Sequence, residues 1–101
     1  MATFLYVSGP VASLQFDIDA SSTVQLEQNI HKSIATAQVD GKTRVVIFSL
    51  DSTEFSGKFA VVTGKVHSIT NVIGARADGS DAHASVTKLS KIDNLILVFS
   101  P

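Results

Sequence analysis

The residues of this chain that can do chemistry are three histidines, nine carboxylates and a scatter of serines, with no cysteine. His31, His67 and His83 form no His-x-His or His-x₃-His pair of the kind that holds a metal. The tightest cluster is Asp78, Asp81 and His83, whose spacing would let two carboxylates and an imidazole meet one ion. The Asp-Gly-Ser-Asp stretch is also what an exposed turn uses, and it falls short of a twelve-position calcium loop. Asp17 and Asp19 share one face of a strand, roughly 6–7 Å apart at 3.3 Å per residue. Paired carboxylates at that separation suit acid–base hydrolysis. Facing Leu14, Phe16 and Ile18 on the opposite parity, they read instead as a solvated strand face that blunts unwanted pairing. No Gly-x-Ser-x-Gly elbow and no Gly-Lys-Ser/Thr loop is present, and Ser8-Gly9-Pro10 lacks the strand-to-helix context of an activated serine. Without cysteine there is no thiol nucleophile, Cys-ligated zinc or disulfide framework. The expectation is a non-enzyme with no cofactor and no bound metal.

Ligand stacking needs exposed aromatic rings, and the chain has no Trp, one Tyr and six Phe. Tyr6, Phe55 and Phe59 are the possible ligand contacts; the Phe set as a whole fits alternating core positions better. The eight Lys and Arg are dispersed around a net charge of −1, so nothing resembles the basic stripe that binds a phosphate backbone. No basic amphipathic helix points to a membrane surface. The apolar runs Val45–Phe48 and Leu95–Phe99 are far shorter than the ~20 residues of a membrane helix. Met1 to Val7 has neither the basic start nor the long apolar stretch of a signal peptide. Neither nucleic acid nor membrane is an expected partner.

The elements that must position these residues are strands. At 101 residues with 45% apolar and 17% charged residues, the chain reads as one globular domain over 1–101. Thr3–Ser8 is rich in aromatic and β-branched types and stops at Gly9-Pro10, which supplies turn chemistry. Val11–Asp19 has the cleanest alternation, with Leu14, Phe16 and Ile18 on one face. Residues 22–39 are ambiguous: Ser22 with Gln25 and the recurrence of Leu26, Ile30 and Ile34 permit at most one short helix near 23–34. Alternation through Val24-Gln-Leu-Glu27 favours a strand. Asp40-Gly41 between two apolar segments predicts a type I′ hairpin joining Ser33–Val39 to Lys42–Leu50. The second of these is apolar on both parities and is expected to lie centrally. A polar loop over 51–57 follows, with Phe55 tucked against one end. Then come Lys58–Thr63 and Lys65–Ile73, or one strand bent at Gly64. A turn at Asp78-Gly79, then Ala84–Lys88 and Asn94–Phe99, complete eight to nine short strands. The fold class is all-β, an antiparallel sandwich or barrel.

Several segments carry a family resemblance. Val11-Ala-Ser-Leu-Gln-Phe-Asp-Ile-Asp19 resembles the early strand of cohesin-like domains. Asp40-Gly-Lys-Thr-Arg-Val-Val-Ile-Phe-Ser-Leu50 is similar to their central strand. The loop Asp51-Ser-Thr-Glu-Phe-Ser-Gly57, the strand Phe59–Val66 and the turn at Ala77–Asp81 fall where such domains place comparable segments. The likeness covers roughly residues 11 to 86 and rests on apolar and turn patterns. It implies a jelly-roll β-sandwich of about nine strands and a binding role, at the cell surface or outside the cell. Members of that family bind dockerin modules, but no dockerin-contact set is matched here and the chain is shorter. The expectation is an interaction module that recognises a protein partner, or itself, through a sheet face or edge. A carbohydrate-binding domain and a structural component of a secreted or viral assembly are the alternatives.

Overall fold

A computed structural model describes residues 2–19, 21–63 and 66–91, and these form eight strands and no helix. The strands are β1 (Ala2–Val11), β2 (Ser13–Asp19), β3 (Thr23–Leu26), β4 (Ser33–Val39), β5 (Lys42–Phe48), β6 (Phe55–Thr63), β7 (Ile69–Ala75) and β8 (Val86–Lys91). They make two four-stranded antiparallel sheets that pack as a β-sandwich. Sheet A has the order β3-β6-β1-β8 and sheet B the order β4-β5-β2-β7.

Alternation decides which side chains enter the space between the sheets. Thr3, Leu5 and Val7 of β1 are buried, as are Leu14, Phe16 and Ile18 of β2 and Val45 and Ile47 of β5. Each large apolar side chain so buried contributes about 1.5–3 kcal/mol. β6 breaks the rule in an informative place. Leu5 pairs with Ala60 but Tyr6 pairs with Lys58, so Phe59 is the extra residue of a bulge. The bulge turns both Phe59 and Ala60 inward, and Phe59 meets Phe16 edge-on at 6.0 Å between ring centroids.

The Asp40-Gly41 hairpin forms as expected, with φ of 49° and 76° at its two central residues. A type I′ turn demands positive φ at both. β5 is an inner strand of sheet B, as its two-sided apolarity implies. The ambiguous stretch resolves to the short strand β3, followed by a turn in which the Ile30 N–H donates to the Glu27 carbonyl.

Gly9-Pro10 is not a hairpin turn. β1 runs on through it to Val11, with a register shift against β6, and the chain then crosses to sheet B at Ala12. β1 and β2 therefore lie in different sheets. Proline is tolerated there because the interrupted ladder asks for no N–H at that point. Phe55, Ser56 and Gly57 belong to β6 rather than to the loop, and Val66, His67 and Ser68 precede β7 without joining it. The last strand described is Val86–Lys91 rather than Ala84–Lys88. Gly64 and the expected strand Asn94–Phe99 lie outside the described residues.

Gly74 of β7 faces the core where two other segments come close. A Cβ there would sit 2.9 Å from Val11 Cγ1 and 3.0 Å from the Ala84 Cβ. Gly74→Ala is expected to cost about 1–3 kcal/mol by overpacking. Chemical denaturation of the purified variant checks this, and an unchanged midpoint would show that the close approach relaxes freely.

Candidate functional site

The outer face of sheet B gathers the most distinctive surface chemistry of the described residues. Pairing registers define its rows. Ala35, Val46, Gln15 and Ile73 lie side by side across all four strands. Ala37, Arg44, Asp17 and Thr70 form the next row. Ser33 and Phe48 lie beyond the first. Ile73 is 60% exposed and Phe48 44% exposed. Leu50, just past the end of β5, is fully exposed. Phe48 and Leu50 line one open groove with Ile30, His31, Ser33 and Asp51. Apolar side chains of this size cost free energy when left in water, so their gathering on one face has to be accounted for.

A polar cluster sits at the centre of that face. Arg44 Nε donates to Asp17 Oδ1 at 2.8 Å and its Nη2 to Oδ2 at 3.0 Å, a bidentate pair. Asn71 Nδ2 donates to the same Oδ2 at 2.8 Å from a backbone with φ of 54°. Asp17 is almost wholly buried beneath these partners. The Arg44 guanidinium first, then the Asn71 amide, hold its pKa down to about 2 against the opposing effect of burial. Asp19 is engaged differently: the backbone N–H groups of His67 and Ser68 donate to its two oxygens, lowering its pKa. The two aspartates thus anchor separate structures, and Asp17 departs from the solvated reading.

At the groove end of the face, the Lys32 ammonium is caged. Its three N–H groups lie within hydrogen-bond reach of four acceptors: Ser49 Oγ at 2.9 Å, Asp51 Oδ1 at 3.1 Å, the Thr53 carbonyl at 2.5 Å and Thr53 Oγ1 at 3.0 Å. The Lys32 side chain is 3% exposed. The Ser49 hydroxyl, the Thr53 N–H and Lys32, in that order, press the Asp51 carboxyl far below the usual range. This cage ties the start of β4 to the loop after β5 and fixes the wall on which Phe48 and Leu50 stand.

The residues singled out for ligand contact do not converge. Tyr6 is half-buried on the outer side of sheet A, in register with Lys58 and Thr87. Phe59 is fully buried in the core and offers no face to a ligand, because the β6 bulge turns it inward. Phe55 is half-buried with its ring 5.9 Å from that of Phe59. Around Asp78-Gly79 the carboxylates serve the turn: Asp78 accepts from the Ser80 N–H and hydroxyl, and Asp81 from the His83 N–H. Among the described residues no three His, Cys, Asp or Glu groups gather to hold a metal ion. Sequence reasoning missed Arg44, Asn71 and Lys32, whose partners lie 17 to 54 residues away.

In comparisons with known proteins, no family model, no curated protein and no solved structure matches the chain.

Proposed function

We propose that this domain is a non-enzymatic binding module that recognises a protein partner through the outer face of sheet B. The observation that carries the reading is the placement of the exposed large apolar residues. Of the four among the described residues, Ile73 and Phe48 lie on this face, Leu50 borders it, and Leu89 alone belongs to sheet A. Ile73 lies one row from Arg44, whose guanidinium Asp17 already fixes in orientation, and Phe48 lies a row further along β5. An apolar patch beside a preorganised arginine is the composition of a protein-recognition hot spot. The cohesin-like resemblance belongs to the same proposal, and the two-sheet antiparallel sandwich supports it. So does the binding role that the resemblance implies, with an extracellular or cell-surface setting.

The double variant Phe48→Asp, Ile73→Asp tests this. Both side chains are exposed, so stability should stay within about 0.5 kcal/mol of wild type. A protein partner captured by the wild-type domain from its source organism should bind the variant at least about 100-fold more weakly, since two hot-spot contacts are lost. A partner retained equally by both would overturn the assignment of the face. Binding on a glycan array with no protein captured would move the function to carbohydrate recognition.

A further inference from the structure

β7 is held to β2 in two different ways. Over its second half the backbone does it: Ile73, Gly74 and Ala75 pair with Gln15, Leu14 and Ser13. There the Ala12 N–H donates to the Ala75 carbonyl at 2.7 Å and the Ala82 N–H to the Gly74 carbonyl at 2.9 Å. Asn71 and Val72 face the single residue Phe16, a bulge that breaks the ladder. Before the bulge only Ile69 and Thr70 pair with β2, opposite Ile18 and Asp17. None of residues 67–71 is fully buried, so this half of the strand adds little to the core.

Charged side chains from the neighbouring strands supply what the ladder lacks. Asp19, at the end of β2, accepts the His67 N–H at 2.7 Å on one oxygen and the Ser68 N–H at 3.2 Å on the other. Lys42, at the start of β5, donates to Ser68 Oγ at 2.8 Å. Asp17 accepts the Asn71 amide at 2.8 Å, with Asn71 at a positive φ that asparagine tolerates. Both ends of the segment are fixed. Val66 is buried and its carbonyl accepts from Lys88 Nζ of β8 at 2.5 Å. The paired stretch beyond the bulge holds the other end.

We infer that residues 67–71 form a flap that leaves β2 while the rest of the sandwich stays folded. Asp17 and Asp19 clasp it shut, and protonation of Asp19 releases it. This goes beyond the partner-binding reading and stands without it. Local opening is cheapest where a segment buries little apolar surface and few ladder bonds hold it. The two carboxylates divide the work. Among the described residues, the hydrogen bonds to the Asp19 carboxylate both come from the flap. The His67 N–H first, then the Ser68 N–H and the charges of His67 and Lys42, hold that carboxyl below its ordinary 3.8 against the effect of burial. Opening strips away the N–H partners, so the open flap binds the proton more tightly. Closure is therefore strongest above pH 3.8 and weakens as pH falls below it. Asp17 behaves differently. Arg44 belongs to β5 and stays with Asp17 whether the flap is open or shut, so opening costs Asp17 only the Asn71 amide. The other charges that act here are Lys42, on both carboxylates, and Asp40, on Arg44; both belong to the β4–β5 hairpin and stay in place. Asp17 sets how firmly the flap is shut, and Asp19 how it answers acid.

Amide hydrogen exchange of the full chain, followed by NMR at a series of pH values and read as protection over the unstructured rate, tests the flap. The His67 and Ser68 N–H groups report on it, and the Ala12 and Ala82 N–H groups report on the ladder beyond the bulge. In the wild type the first two should lose protection together as pH falls below 3.8, by at most about tenfold per pH unit for the one carboxylate. Ala12 and Ala82 should keep theirs. Asn71→Gly retains the positive φ and removes only the bond to Asp17. At neutral pH it should lower the protection of His67 and Ser68 about tenfold, although it touches neither amide. Asp19→Asn should flatten the acid response. Loss of protection at Ala12 and Ala82 in step with His67 and Ser68 overturns the inference, because the domain then opens only as a whole. So does an Asn71→Gly variant whose His67 and Ser68 amides stay as protected as in wild type, since the two clasps then act independently. An Asp19→Asn variant with the wild-type acid response overturns it as well. Should that variant not fold, the wild-type profile and Asn71→Gly still decide the matter.

Discussion

Phe59→Ala should lower the unfolding free energy by about 3–5 kcal/mol, the cost of emptying a fully buried aromatic site. The Phe59 ring stands between Phe16 and Phe55, 6.0 and 5.9 Å from their centroids, so its removal opens the middle of the sandwich. The backbone cannot collapse freely into the space, because the bulge that delivers Phe59 is held between Tyr6 and Leu5 of the neighbouring strand. For a domain of this size each kcal/mol moves the melting temperature by about 4–8 °C, which makes the expected drop at least about 12 °C. Phe55→Ala, at a half-buried position, should cost clearly less. Differential scanning calorimetry of the two variants decides the matter. A Phe59 variant melting within a few degrees of wild type would show that this ring is not central to the core.

Asp17 carries the second large effect, and its sign depends on pH. Asp17→Ala removes three hydrogen bonds and leaves the Arg44 guanidinium without its counter-ion. Breaking a buried pair costs about 3–5 kcal/mol; with Arg44 a third exposed, water returns to it and about 2–3 kcal/mol is expected. The pH dependence follows from a folded-state pKa lowered from 3.8 to about 2. The folded protein holds this proton less tightly than the unfolded chain does. The stabilisation is therefore complete above pH 3.8 and is lost as pH falls through the window toward 2. Asp17→Asn should be less stable than wild type at neutral pH, and the difference should shrink across that window. Urea midpoints measured from pH 6 down to pH 2 test it. A constant difference between the two proteins would mean that Asp17 is not the group titrating.

The parts of this fold that were legible in the sequence are those whose cause is local. Leu14, Phe16 and Ile18 alternate because one strand touches one core, and nothing outside the strand is needed to see it. Asp40-Gly41 announces its hairpin through the φ values that its two residues tolerate. Gly9-Pro10 carries the same kind of local sign but marks a crossing between sheets, because the pairing available to β1 is with β6 and β8, far along the chain. Phe59 was open to misreading for a related reason. A bulge is an agreement between two strands, and neither strand alone displays it. The outer face of sheet B was less legible still. Asp17 looked solvated because its alternation is that of a water-facing residue. Its arginine and asparagine partners come from other strands, 27 and 54 residues away. The seven uncharged residues of β4, by contrast, read plainly as a strand; what the structure adds is that, among the described residues, they lie at an edge of sheet B.

The connectivity has a kinetic consequence. β1 pairs with β6 and β8, β2 with β5 and β7, and β3 with β6; among the described residues, β4 with β5 is the one ladder that joins strands adjacent in the chain. Every other pairing must close a long loop before any contact repays the lost chain entropy. Such a topology has high contact order and belongs with domains that fold in milliseconds to seconds. The 33–48 hairpin is the element that can form early on its own, and until β2 docks on β5 it presents two open edges to the surrounding solution.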